Sequence, residues 1–194
     1  MLQSQQIKEL RQSGKLQEAL DLALIDLEQD HDNIYAKRNI SWVYYAFLKK
    51  SAENSNLDEF YNNLEKVKNL NLPDSELMLF DNIAWQTGIL FFHIAKNKNL
   101  TFDKIFGIVD IIKIFHFTKP SEGYSFLLKS CHKLLKQNHF QYSSFINWWN
   151  LDYLRKEDYE KELLPNGKSV MSIAEQVFTA YYKSLIPSVE NPIE

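Results

Sequence analysis

The sequence predicts an all-α protein, an antiparallel array of about nine helices, and three observations carry that expectation. Apolar residues recur at three- and four-residue intervals through most of the 194-residue chain, the period of one helix face. Five glycines and five prolines leave little material for hairpins. No Asn-Gly or Asp-Gly separates two alternating strand patterns, and Asn166-Gly167 is flanked by charged helical patterns instead.

Residues 3 to 12 make a short first helix with Ile7 and Leu10 on its inner edge, closed by Ser13-Gly14, where glycine can take the left-handed cap conformation. Residues 15 to 29 follow, with Leu16, Ala19, Leu20, Ala23, Leu24 and Leu27 on one side. Asp30-His-Asp-Asn33 breaks that pattern and supplies an N-cap for the central helix, which runs to about Ser51. This helix has a core stripe of Ile40, Val43, Tyr44, Phe47 and Leu48. A second stripe, Tyr35, Arg38, Asn39, Trp42 and Tyr45, mixes aromatic, cationic and amide groups, which is unusual for plain solvent exposure.

Glu53-Asn-Ser-Asn56 turns the chain into a returning helix with Leu57, Phe60, Leu64, Val67 and Leu70. Pro73 stops it, and Asp74 or Ser75 is the expected cap of a helix over 76 to 97. Residues 101 to 115 carry Phe102, Ile105, Phe106, Val109, Ile112 and Ile114, so apolar that burial on more than one side is expected. A helix over 120 to 137 turns Tyr124, Leu127, Leu128, Cys131, Leu134 and Leu135 inward. Helices over 139 to 150 and 169 to 186 complete the array, around an irregular stretch from 151 to 168, and residues 187 to 194 form a tail.

Gly14-Lys-Leu-Gln-Glu-Ala19-Leu, then Ala23 and Leu27, then Asp30-His-Asp-Asn33 and the helix bearing Ile40, Ser41 and Tyr44, resemble a tetratricopeptide repeat. In that family small residues let paired helices approach and large ones fill the hole opposite. His31 stands where the family has a junction proline, and Lys37 where it has an early tryptophan, so the repeat is degenerate. A second copy places Phe80, Ile83, Ala84 and Thr87 at the repeat's packing positions, and Trp85 at the position of Trp42. The resemblance implies a single domain over 1–186, an α-α superhelix with two degenerate repeats over 1–98 and a helical bundle over 99–186.

The resemblance also implies a concave groove in which Tyr35, Arg38, Asn39, Trp42 and Tyr45 face Met78, Asp81, Asn82 and Trp85. Asparagine amides pair with an extended backbone and indoles bury apolar side chains, so this set suits a peptide or a partner helix. The competing reading is that Trp42 and Trp85 are ordinary core under the longer helix pair.

Pro120-Ser-Glu-Gly-Tyr124-Ser-Phe-Leu-Leu128, Phe145-Ile-Asn-Trp-Trp149-Asn-Leu, Arg155-Lys-Glu-Asp-Tyr159 and Ser172-Ile-Ala-Glu-Gln176 are similar to the helical region of tetratricopeptide-like proteins found beside bacterial antiphage defence systems. Tyr35-Ala-Lys-Arg38 followed by Trp42-Val-Tyr-Tyr is similar to their early helix. In that family the region often precedes further domains. The resemblance implies a defence-associated scaffold and supplies no catalytic residue.

Charge and composition narrow the function classes. A formal charge of −3, from 22 basic and 25 acidic residues, gives no electrostatic footprint for nucleic acid. Lone Cys131 excludes an internal disulfide and fits a reducing compartment. The N-terminus lacks a basic region followed by an apolar block, and the most apolar segment, 105 to 117, is too short to span a bilayer, so a soluble cytoplasmic protein is expected.

The chemistry of catalysis is not legible. The glycines are isolated, which leaves no phosphate-cradling loop, and no Gly-x-Ser-x-Gly elbow occurs. Defence-type helical nucleases carry His five residues after Arg, but Leu16, Val43 and Glu160 stand five beyond Arg11, Arg38 and Arg155. His116, Cys131, His132 and His139 are close in sequence, yet adjacent residues diverge by about 100° on a helix, so no metal site and no cofactor is expected. Trp148 to Tyr159 interleaves aromatics with Arg155 and Lys156 and offers an alternative as a nucleic-acid sensor, although Glu157, Asp158, Glu160 and Glu162 cancel its charge. A homodimerisation module is the further alternative.

Overall fold

The computed structural model describes residues 3–97, 100, 102–115 and 121–138. Among them all regular structure is helical: α1 (Gln3–Gln12), α2 (Leu16–Gln29), α3 (Ile34–Glu53), α4 (Leu57–Asn69), α5 (Leu77–Ile94), α6 (Phe102–Ile114) and α7 (Glu122–Asn138). The helices expected over 139–150 and 169–186, the stretch between them, the tail and the side chains of His116, His132 and His139 lie outside the described residues. The Trp148 to Tyr159 segment and the 145–176 part of the defence-associated pattern do too.

Short polar segments set the element ends. Gly14 adopts φ +81° after α1, a left-handed conformation that only glycine takes without strain. Asn33 caps α3, its side-chain oxygen accepting from the N–H groups of Tyr35 at 3.0 Å and Ala36 at 3.1 Å. Asn56 caps α4 reciprocally with Glu59, accepting from its N–H and donating to its carboxylate, both at 3.1 Å. One expected cap is displaced: Glu76, and neither Asp74 nor Ser75, occupies the N-cap position of α5. Its side chain makes no capping bond, because it reaches across to Arg38 on α3.

Short turns make α1 to α4 antiparallel neighbours, and the pattern then splits into layers. In one layer α1 packs on α3, α3 on α5 and α5 on α7; in the other α4 packs on α6, while α2 backs α1 and α3. Ile40, Leu48, Phe60, Leu64, Ile83, Leu90, Phe91, Ile108, Ile112 and Leu127 are fully buried between the layers. Each such side chain stabilises the fold by about 1.5–3 kcal/mol before chain entropy is counted. Helix α6 buries Ile105, Ile108, Ile111 and Ile112, a broad face, but Ile114 is 51% exposed. Ile114 follows Ile112 by about 200° of helical rotation, which carries it away from the packed side.

The joint between α5 and α7 is close because two glycines permit it. A methyl group on Gly88 would meet Cδ1 of Phe126 at 2.6 Å, and one on Gly123 would meet the backbone oxygen of Asp81 at 2.0 Å. No helix among the described residues is long and apolar enough to cross a membrane.

Candidate functional site

The Asn33 cap fixes the start of α3 and thereby the azimuth of its second stripe. Tyr35, in the first turn, is 72% exposed, and Met78, in the first turn of α5, is 69% exposed. Arg38 lies between these two helices. Its Nε donates to Oε1 of Glu76 at 2.7 Å, Nη2 donates to the same oxygen, and the guanidinium sits 5.7 Å from the ring centre of Tyr35. The bond to the buried carboxylate raises the pKa of Arg38, so the cation is permanent.

One cleft of about 450 Å³ opens beside this pair, lined by Arg38, Asn39 and Trp42 of α3, Met78 of α5, and Ser4, Gln5, Ile7, Lys8 and Arg11 of α1. It gathers four of the nine residues singled out in the sequence, and adds a wall from α1 that the sequence reading did not include. The remaining five have other neighbours. Tyr35 stands exposed near the N-terminus of α3. Asn82 donates to the carbonyl of Met78 at 2.8 Å, within its own helix. Tyr45 accepts from Nε2 of Gln86 at 3.3 Å, across the α3–α5 contact.

Asp81 and Trp85 face α7. Oδ1 of Asp81 accepts from the N–H of Gly123 at 2.9 Å, in the first turn of α7, where a carboxylate is favoured by the helix dipole. The ring of Trp85 lies against Phe126, with centroids 4.6 Å apart. Trp42 packs edge-on against Tyr45 at 5.4 Å. The matched tryptophans thus serve different joints, and neither is fully buried: Trp42 is half-buried and Trp85 is 40% exposed.

Arg11 is the most telling addition. Its guanidinium lies 5.5 Å from the ring centre of Trp42, and burial pushes its pKa down while Tyr45 pushes it up. An arginine stays charged through shifts of this kind. Among the described residues no carboxylate pairs with Arg11 or with Lys8. The signal in the sequence was slight: Arg11 follows Ile7, the buried residue of α1, by four positions and so shares its face.

The arrangement can hold an anion beside an apolar group. The cleft is lined by cations, amides, a hydroxyl and an indole, together with the apolar Ile7 and Met78. Elsewhere, burial raises the pKa of the Cys131 thiol, which keeps it protonated and a poor nucleophile. No protein-family model matches the sequence, and no curated protein or solved structure matches it either.

Proposed function

We propose that this chain is a non-catalytic protein-interaction module of tetratricopeptide-like build, whose layer of odd-numbered helices holds a peptide or partner helix within a bacterial defence complex. The observation that carries the reading is the cleft between α1, α3 and α5, with Tyr35 and Met78 exposed beside it. Large side chains left in water at the edge of a cleft are common where a partner supplies the missing contacts. The repeat-like build is supported by the succession of contacts from α1 to α3, α5 and α7, and by Ala19, Ala23 and Ala84, which are fully buried. The defence setting rests on the sequence resemblance alone.

The test is affinity capture from the source cell with the intact chain and with Tyr35→Ala/Met78→Ala, whose exposed side chains can be removed without opening the core. A protein partner retained by the first and lost by the second, at unchanged helical content, is the expected result. Capture that is indifferent to the substitution, or capture of nucleic acid alone, would reject the groove.

A further inference from the structure

Cations line the cleft of about 450 Å³ at Lys8, Arg11 and Arg38, and no carboxylate lines it. Arg38 is already engaged by Glu76. Arg11 is half-buried, lies over the indole of Trp42 and, among the described residues, has no ion-pair partner. A partly desolvated guanidinium without a counter-charge is costly, and its planar fork is matched by a carboxylate.

Resting on the interaction reading above, we propose that the cleft recognises an internal Asp or Glu side chain of a bound peptide, with Arg11 and Lys8 taking its carboxylate and Trp42 and Met78 taking an apolar neighbour. Helical spacing supplies the geometry. Tyr35, Asn39 and Trp42 follow one another along α3 over about 10 Å, the reach of about three extended residues. Asn39 lines the same cleft and can pair with the peptide backbone, and Gln5, whose Nε2 donates to Glu9 at 2.9 Å, can still accept through its amide oxygen. Exposed Tyr35 lies one turn further along α3, against the Arg38 guanidinium, so a peptide laid along α3 to reach it extends beyond its acidic residue. That favours a side-chain carboxylate over a chain terminus.

The test is selection of a random-peptide library, displayed between fixed flanks so that no free carboxyl end is present, on the intact chain and on its Arg11→Gln and Lys8→Gln variants. The expected result is enrichment of peptides with one fixed acidic position beside an apolar residue. Changing that acid to its amide should weaken binding about tenfold on the intact chain and less than about twofold on Arg11→Gln. Lys8 is exposed, so Lys8→Gln keeps the fold and should lower affinity with a shallower salt dependence. Enriched peptides without an acidic position, or an acid preference that survives Arg11→Gln, would overturn this inference while leaving the interaction reading standing. Failure to enrich any peptide would overturn it too, and the interaction reading would then stand or fall on the affinity capture described above.

Discussion

Arg38 on α3 gives both Nε and Nη2 to the same carboxylate oxygen of Glu76, the residue that precedes α5. The pair joins two helices at the mouth of the cleft, and it diverts Glu76 from capping its own helix. Glu76 is buried while the side chain of Arg38 is 40% exposed, so the bond is only partly shielded from water.

Removing the cation leaves a buried carboxylate without its partner. Arg38→Gln should therefore destabilise the fold by about 1–2 kcal/mol, below the cost for a fully buried pair because Arg38 is partly hydrated. Adding Glu76→Gln should recover part of that loss. Urea unfolding of the single and double variants checks it, and additive losses would mean that the pair contributes no coupling.

Gln86 is 5% exposed, and its Oε1 has no hydrogen-bond partner among the described residues. Its Nε2 donates to the Tyr45 hydroxyl. Gln86→Met together with Tyr45→Phe removes both polar groups at once and should be neutral or stabilising. Tyr45→Phe alone strands the amide and should cost about 1–2 kcal/mol. Thermal melts of the parent and the two variants give the answer, and a double variant less stable than Tyr45→Phe alone would contradict it.

Gly123→Ala should destabilise although alanine is the better helix former, by about 1 kcal/mol of intrinsic propensity. The added methyl would sit 2.0 Å from the carbonyl oxygen of Asp81, which belongs to backbone and cannot turn aside. Separation of α5 from α7 should cost about 1–3 kcal/mol net and loosen Trp85 against Phe126. Gly88→Ala meets chiefly a phenyl edge, which can swing, and should cost less. Equal melting temperatures for Gly123→Ala and the parent would refute the close approach.

Burial of the Cys131 thiol raises its pKa. Above the ordinary thiol value of about 8.5 the unfolded chain releases this proton while the folded chain keeps it. The unfolded state then binds fewer protons, so stability falls as pH rises, by up to about 1.4 kcal/mol per pH unit. Below that value the thiol contributes no pH dependence. Cys131→Ala should flatten the decline between about pH 8.5 and about pH 9.5, before the tyrosines titrate. Parallel curves for the two proteins in denaturant titrations would rule out Cys131 as the source.

Much of the helical frame was legible because its signals are local. Asn33, Asn56 and Gly14 mark ends by side-chain or backbone chemistry of their own, and the stripes through Ile40, Phe60 and Ile83 need only the helical period. The cap of α5 was misassigned to Asp74 or Ser75, whereas Glu76 holds the cap position with its side chain turned to Arg38, a residue 38 positions away. The site was half legible for the same reason. Periodicity groups Arg38, Asn39 and Trp42 on one face and the repeat resemblance adds Met78, but which helix forms the opposite wall depends on how α1 seats. Asp81 and Trp85 turn toward α7 because Gly123 and Gly88 let that helix come close, and a glycine in a helical pattern does not announce its partner.

The α1 wall is fastened lightly, with Ile7 as its one buried residue and the amide of Gln3 donating to the carbonyl of Leu22 at 3.2 Å. Besides Ile7 only the partly buried Leu10 packs its apolar side chain on the core, so excursions in which α1 lifts from α3 are expected below the temperature at which the array melts. Arg11 leaves Trp42 in each excursion. The apparent affinity of the cleft is then its intrinsic affinity multiplied by the fraction of molecules with α1 seated, and that fraction falls on warming. A ligand spanning α1 and α3 would slow amide exchange in α1 first, making this lightly anchored helix the reporter of occupancy.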